Sequence, residues 1–250
     1  MLVLTGAGMS AESGVPAFRG EKGLWEGSRP EELATPEAFA RDPDRVWAWY
    51  AWRRGLVARC PPHAGHRALA EWLVRRGDSA LLVTQNVDGL HQAALLEAGG
   101  DPGAVVALHG DLFRVRCTGC GRESQNRSTL GEDGAPHCPD CAALLRPGVV
   151  WFGEALPEAA LRRARAWALD AEVALVVGTS ALVHPAATLP LLVLPDKGEH
   201  GQSGGEGCII EVNPQETPLT PRAALRLPGP AGSVLPALLG PWNSGPGGQV

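Results

Sequence analysis

Four cysteines stand in two Cys-x2-Cys pairs, Cys117/Cys120 and Cys138/Cys141, with seventeen residues between the pairs. Each pair can place two thiolates around one tetrahedral ion, and the intervening span closes the site. Residues 112–148 are therefore expected to form a small inserted module around one zinc ion. Four sulfur ligands leave no open position for water, so this zinc is structural. Two disulfides or a redox dithiol would use the same residues, but two matched pairs in a chain expected to be cytoplasmic favour zinc. Cys60 and Cys208 fall outside the pattern and are expected to pack rather than ligate.

The rest of the chain alternates apolar strands with helices. Strands are expected at Leu2–Thr5, Ala80–Thr84, Ala104–Leu108, Glu172–Val177 and Cys208–Val212, and an extended segment at Val149–Phe152. Helices are expected at Asp44–Arg59, His66–Arg76, Leu90–Glu97, Pro157–Leu169 and Ser233–Leu239, with Pro185–Leu194 also helical. Continuously apolar strands separated by helices indicate an α/β fold, a Rossmann-like parallel sheet covered on both faces. Residues 17–35 read as a long polar loop, which inside a compact domain is usually functional. Residues 196–207 read as a Gly-rich surface insertion and 241–250 as a disordered tail.

The 250 residues suffice for one large domain with a small insert, and 44% hydrophobic with 20% charged residues is a globular composition. A net charge of −5 argues against a general nucleic-acid binder. No apolar run is long enough to cross a membrane. The expected location is cytoplasmic.

Gly6-Ala7-Gly8-Met9-Ser10-Ala11 fits the dinucleotide loop G-x-G-x-x-G/A directly after a strand and before a helix. Such a loop lets a pyrophosphate approach the backbone and face free N–H groups. A plain tight turn is the alternative. A dehydrogenase needs an acid about 20 residues on, at the end of a second strand. Glu26 has the spacing but lies in Leu24-Trp25-Glu26-Gly27-Ser28-Arg29-Pro30, which is no strand, so dinucleotide binding of a different kind is expected. Two rivals stand beside it, hydride transfer and a zinc ribbon that binds nucleic acid or protein. Gly201-Gln202-Ser203-Gly204-Gly205 also matches a hydrolase G-x-S-x-G, but no strand precedes the serine, so the match is accidental.

From Gly6 to Gly20, through Ser10, Phe18 and Arg19, the chain resembles the sirtuins, the NAD-dependent protein lysine deacylases. Thr84-Gln85-Asn86-Val87-Asp88-Gly89-Leu90-His91, Leu108-His109-Gly110, the four cysteines, Val150-Trp151-Phe152-Gly153-Glu154, Gly178-Thr179-Ser180 and Glu211-Val212-Asn213 follow in the family's order. The resemblance implies one catalytic domain over residues 1–240, with segment 30–76 contributing to the small lobe. It implies NAD as co-substrate, one structural Zn2+ and acyl-lysine proteins as substrates. It gives no role for sequence-specific nucleic acid or a membrane. Nicotinamide is released and the acyl group passes to ADP-ribose; an ADP-ribosyltransferase is the alternative NAD-consuming activity.

By the same resemblance His109 is the general base and Asn86 a catalytic partner in the nicotinamide pocket. Histidine suits the role because its pKa lies near neutrality. Gly6, Ala7, Gly8, Ser10, Phe18, Arg19, Trp25, Gln85, Val87, Asp88, Gly178, Thr179, Ser180, Asn213 and Ala231 hold NAD. Val150, Phe152, Gly153 and Val183 bind an extended peptide, and His91 is architectural. Tyr50 and Arg53, three apart on one helix face, match the acyl-pocket pair of class III sirtuins, which implies succinyl- or malonyl-lysine as substrates. Read from the residues alone, Tyr50 packs in the core and Arg53 is solvated beside Arg54.

Overall fold

The computed structural model describes residues 1–16, 29–127, 134–194 and 207–240. Phe18, Arg19, Trp25, nearly all of the 196–207 insertion and the 241–250 tail lie outside them.

Strands β1 (Leu2–Thr5), β2 (Leu81–Thr84), β3 (Val106–Ala107), β7 (Val173–Val177), β8 (Cys208–Val212) and β9 (Leu225–Leu227) form one parallel sheet, ordered β3-β2-β1-β7-β8-β9. The pleat sends alternate side chains to opposite faces. Leu2 and Leu4 join Leu81, Val83, Ala174 and Val176 on one face, under helix α6 (Glu158–Asp170) and the 3-10 segment Ala186–Val193. Val3, Leu82, Leu175 and Val177 face the other way, toward α4 (Ala64–Arg76), α5 (Leu90–Glu97) and α7 (Ala231–Leu239). With both faces covered, every residue of β1 and β2 is buried, which is why these strands read as unbroken apolar runs.

Between β3 and β7 the chain builds a second sheet of β4 (Gly110–Cys117), β5 (Glu123–Gln125) and β6 (Leu145–Val149), antiparallel in the order β5-β4-β6. Three helices pack beside it: α1 (Pro30–Leu33), α2 (Pro36–Arg41) and α3 (Pro43–Val57). Local chemistry sets their ends. The Thr35 hydroxyl accepts from the Ala38 amide, and the Asp42 carboxylate accepts from Arg45, each just ahead of a proline in the first helical turn. Trp47, Trp49 and Tyr50 of α3 then form a core with Leu112, Phe113, Val115, Val149 and Trp151.

Several elements differ from expectation. Helix α1 falls within the expected 17–35 loop. Strand β3 has only two residues, because Pro102–Ala104 winds as a 3-10 turn instead. The β6 ladder stops at Val149. Beyond it Val150 still donates to the His109 carbonyl and Phe152 to the Ala34 carbonyl. Segment Ala186–Val193 is 3-10 rather than α, with Pro190 inside it. No helix among the described residues is long and apolar enough to cross a membrane.

Candidate functional site

Strand β1 lies between β2 and β7, so the loops leaving its carboxyl end and that of β7 diverge over one crevice. Gly6-Ala7-Gly8 leaves β1 and Gly178-Thr179-Ser180 leaves β7. They are locked together: Gly8 donates to the Gly178 carbonyl at 2.7 Å, and Gly6 to the Val177 carbonyl at 3.0 Å. Gly178 sits at φ +59°, and a Cβ there would lie 2.3 Å from the Met9 nitrogen, so only glycine permits this approach.

The β2 carboxyl end delivers Gln85, Asn86, Val87 and Asp88 to the same crevice. Asn86 Nδ2 donates to the Gly6 carbonyl and to Ser10 Oγ, both at 3.0 Å, which fixes the amide and turns its oxygen away from the loop. Gln85 donates to Thr179 Oγ1 at 3.0 Å, and Asn213, after β8, donates to the Thr179 carbonyl at 2.8 Å. Asp88 accepts from the Leu90 amide at the start of α5, and burial raises its pKa.

His109 follows β3. Its Nδ1 lies 2.8 Å from the Gln85 carbonyl. A carbonyl only accepts, so Nδ1 carries the hydrogen and Nε2 of the neutral ring holds a free lone pair. Burial lowers the pKa of His109 and favours that neutral form.

One cavity of about 650 Å3 joins these parts. Gly6, Ala7, Gly8, Ser10, Gln85, Asn86, Val87, Asp88, His109, Gly178, Thr179, Ser180 and Asn213 line it, as do Val150, Phe152, Gly153 and Val183. Tyr50 and Arg53 line it too, on the face α3 turns inward. Both are buried: Arg53 is 4% exposed, so it is not a solvated helix residue, and its neighbour Arg54 is buried as well. Ala231 is not part of the lining; it is buried at the start of α7, close to Gly65.

Sequence reasoning missed other lining residues. Val57 extends the Tyr50–Arg53 face by one further turn, a periodicity that was available. Gln215, Glu216, Thr217 and Pro218 close the far side, and their polar loop carries no signal of that role. Beneath the glycine loop lies a histidine cluster that joins His63 and His66, three apart at the start of α4, to His91 of α5. Rings of His63 and His66 are 4.3 Å apart, and those of His66 and His91 4.9 Å. His91 Nε2 meets Thr5 Oγ1 at 2.9 Å, a buried supporting contact.

The Sγ atoms of Cys117, Cys120, Cys138 and Cys141 all lie within 4.8 Å of one another. Cys117 and Cys141 are 3.4 Å apart, and Cys120 and Cys138 3.8 Å. Tetrahedral zinc with bonds of about 2.3 Å needs edges near 3.8 Å, so the donor set fits. Cys117 and His109 stand at opposite ends of β4, separated by on the order of 20 Å. A zinc ion held by these four cysteines would therefore support the fold at a distance from the His109 cavity.

The Sir2 family profile matches residues 6–185. The chain belongs to the Sir2 family. NAD-dependent protein deacylase 1 of Archaeoglobus fulgidus is 50% identical over 239 residues, covering 96% of this sirtuin and 91% of the relative. A solved Sir2 homologue–NAD complex, also 50% identical, superimposes with a TM-score of 0.84 over 95% of this chain and 87% of the other. A Sir2–p53 peptide–NAD+ complex, 31% identical, gives 0.78 over 95% and 90%. The Archaeoglobus fulgidus relative is named as an NAD-dependent deacylase and not a dehydrogenase, so the hydride-transfer alternative falls away with the family.

Proposed function

We propose that this protein is an NAD-dependent lysine deacylase whose acyl pocket takes succinyl and malonyl groups at least as well as acetyl. NAD-dependent deacylation comes with the family. The acidic-acyl preference is supported by one observation, that Tyr50 and Arg53 are buried in the wall of the cavity that holds His109. A guanidinium stays charged and carries its donors in a fixed fork. Its planar fork matches a carboxylate, and the tyrosine hydroxyl adds a donor. Acetyl has no carboxylate to use either.

The chain's residues divide the work. Bound NAD supplies an electrophilic ribose carbon and the nicotinamide leaving group. Asn86 and Asp88 hold the carboxamide side, and the Gly6–Gly8 backbone faces the pyrophosphate. His109 Nε2 removes a proton from a ribose hydroxyl and passes it on. Exposed Phe152 and Leu182 flank the opening, where an extended peptide can lie between Val150–Glu154 and Ala181–His184.

A mass-spectrometric assay with NAD and acetyl-, malonyl- and succinyl-lysine peptides tests this. Free lysine, nicotinamide and acyl-ADP-ribose are expected from all three, with the acidic acyl groups turned over at least as efficiently. Acetyl-only turnover removes the acidic-acyl reading, and an ADP-ribosylated peptide identifies a transferase instead.

A further inference from the structure

We propose that Trp151 is a positioning residue for acyl choice: its indole N–H fixes the Tyr50 hydroxyl as a donor into the acyl pocket, a role that rests on the acidic-acyl reading above. The two residues are 101 positions apart in sequence, yet Trp151 Nε1 lies 2.9 Å from Tyr50 Oη, and both side chains are buried. An indole nitrogen can only donate. The phenolic oxygen therefore accepts from Trp151, and its own proton is left to donate elsewhere. No acceptor for that proton lies among the described residues, while Tyr50 itself lines the cavity beside Arg53. A carboxylate at the end of an acyl chain is the acceptor that fits. An acetyl group ends in a methyl and offers none.

Trp151 is held for this task from several sides. The Arg146 guanidinium lies over its ring, 3.6 Å from the centroid. Arg146 pairs with both carboxylate oxygens of Glu154, at 2.6 and 2.8 Å, and Glu154 also accepts from the Trp151 amide at 2.8 Å. The Phe39 ring packs 5.3 Å away. A cation over the indole face draws electron density from the ring and makes the N–H a better donor. The hydroxyl thus meets its ligand with little orientation left to lose.

Trp151→Phe keeps an aromatic ring and removes the N–H. Efficiency on succinyl- and acetyl-lysine peptides is measured for the wild type, W151F, Y50F and the double variant. The succinyl-to-acetyl ratio is expected to fall about 5- to 10-fold in W151F, the size of one lost hydrogen bond. It should fall at least as far in Y50F, and no further in the double variant. An unchanged ratio in W151F, or two effects that multiply, overturns the proposal. Tyr50 is the only tyrosine of the chain. Tyrosine labelled with carbon-13 at Cζ thus gives a single resonance, which W151F should shift. In the wild-type protein a succinyl-lysine peptide should move that resonance and an acetyl-lysine peptide should not. An equal response to both overturns the donor role even if W151F does not fold. Failure of the wild type to turn over either acidic acyl group removes the underlying reading and the proposal with it. Turnover with a flat W151F ratio removes only the role of Trp151.

Discussion

The Gln85 carbonyl oxygen accepts from Nδ1 of His109 at 2.8 Å, and this one contact leaves Nε2 with the free lone pair of the neutral ring. In the proposed reaction Nε2 is the base. Burial lowers the pKa of the ring, with the Gln85 bond opposing. The acid limb of kcat/KM is therefore expected below pH 6.5, the value of a free histidine. His109→Ala should cost about 10²- to 10⁴-fold in turnover, the usual worth of a general base, with zinc content retained. Near-normal turnover in the variant, or an acid limb above pH 7, contradicts the assignment.

The histidines under the glycine loop make stability depend on acid. Burial pushes His91 down to about 3 and His66 down to about 2, and neighbouring histidines add to both shifts. In the unfolded chain both titrate near 6.5. As pH falls below that value the unfolded chain binds protons that the folded chain refuses. Stability present above about pH 6.5 is thus lost on acidification toward pH 3, by up to about 1.4 kcal/mol per pH unit for each ring. Urea midpoints should drop between pH 7 and pH 5. His91→Gln, which keeps a donor toward Thr5, should make that drop shallower by about one proton. An identical slope in the variant sinks the explanation.

Gly178→Ala tests the junction of the two loops. The left-handed backbone alone costs about 1 kcal/mol for alanine. The added methyl would also meet the Met9 nitrogen at 2.3 Å and Gly8 at 2.5 Å, so the glycine loop must shift. A lower urea midpoint together with a raised KM for NAD is expected. A wild-type midpoint and KM would show that the loops are not locked in this way.

What the sequence made legible follows from how local its cause was. Leu90–Glu97 is a helix over the expected residues, because its start and stop are set within a few positions. Strand β1 and its glycine loop were legible for the same reason. Strand β9 was not: Leu225–Leu227 is three residues long, and it exists only because β8 offers an edge to pair with. At the site, the motif residues of one segment could be read together. The partnership of Tyr50 with Trp151, and of His66 with His91, depends on helices and strands packing across long separations, and no local pattern records it.

Zinc should be present at one ion per chain. Replacing Cys117, Cys120, Cys138 or Cys141 by alanine leaves three ligands, and metal binding there is folding energy. Loss of metal and a lower unfolding temperature are expected for each variant, most of all for buried Cys117 and Cys138. A folded, active, metal-free variant would rule out the structural role.

Arg53 gives the sharpest test of acyl choice. It is buried by α3 against the cavity, and burial lowers its pKa while Tyr50 and Asp88 oppose that shift. A guanidinium in this position gains most from a ligand carboxylate, because water does not compete for it. Losing such a charge-assisted pair costs about 2–3 kcal/mol, roughly 30- to 150-fold in efficiency. Arg53→Met removes the charge at similar length, and replacing a buried cation with an apolar side chain is compatible with folding. The succinyl-to-acetyl efficiency ratio should fall by that factor. Arg53→Lys keeps a charge but loses the fork, so its ratio should lie between those of Met and wild type. Equal losses on both substrates in Arg53→Met would mean that the side chain supports the pocket wall without reading the acyl group. No loss on either would mean that the guanidinium does not reach the acyl group at all.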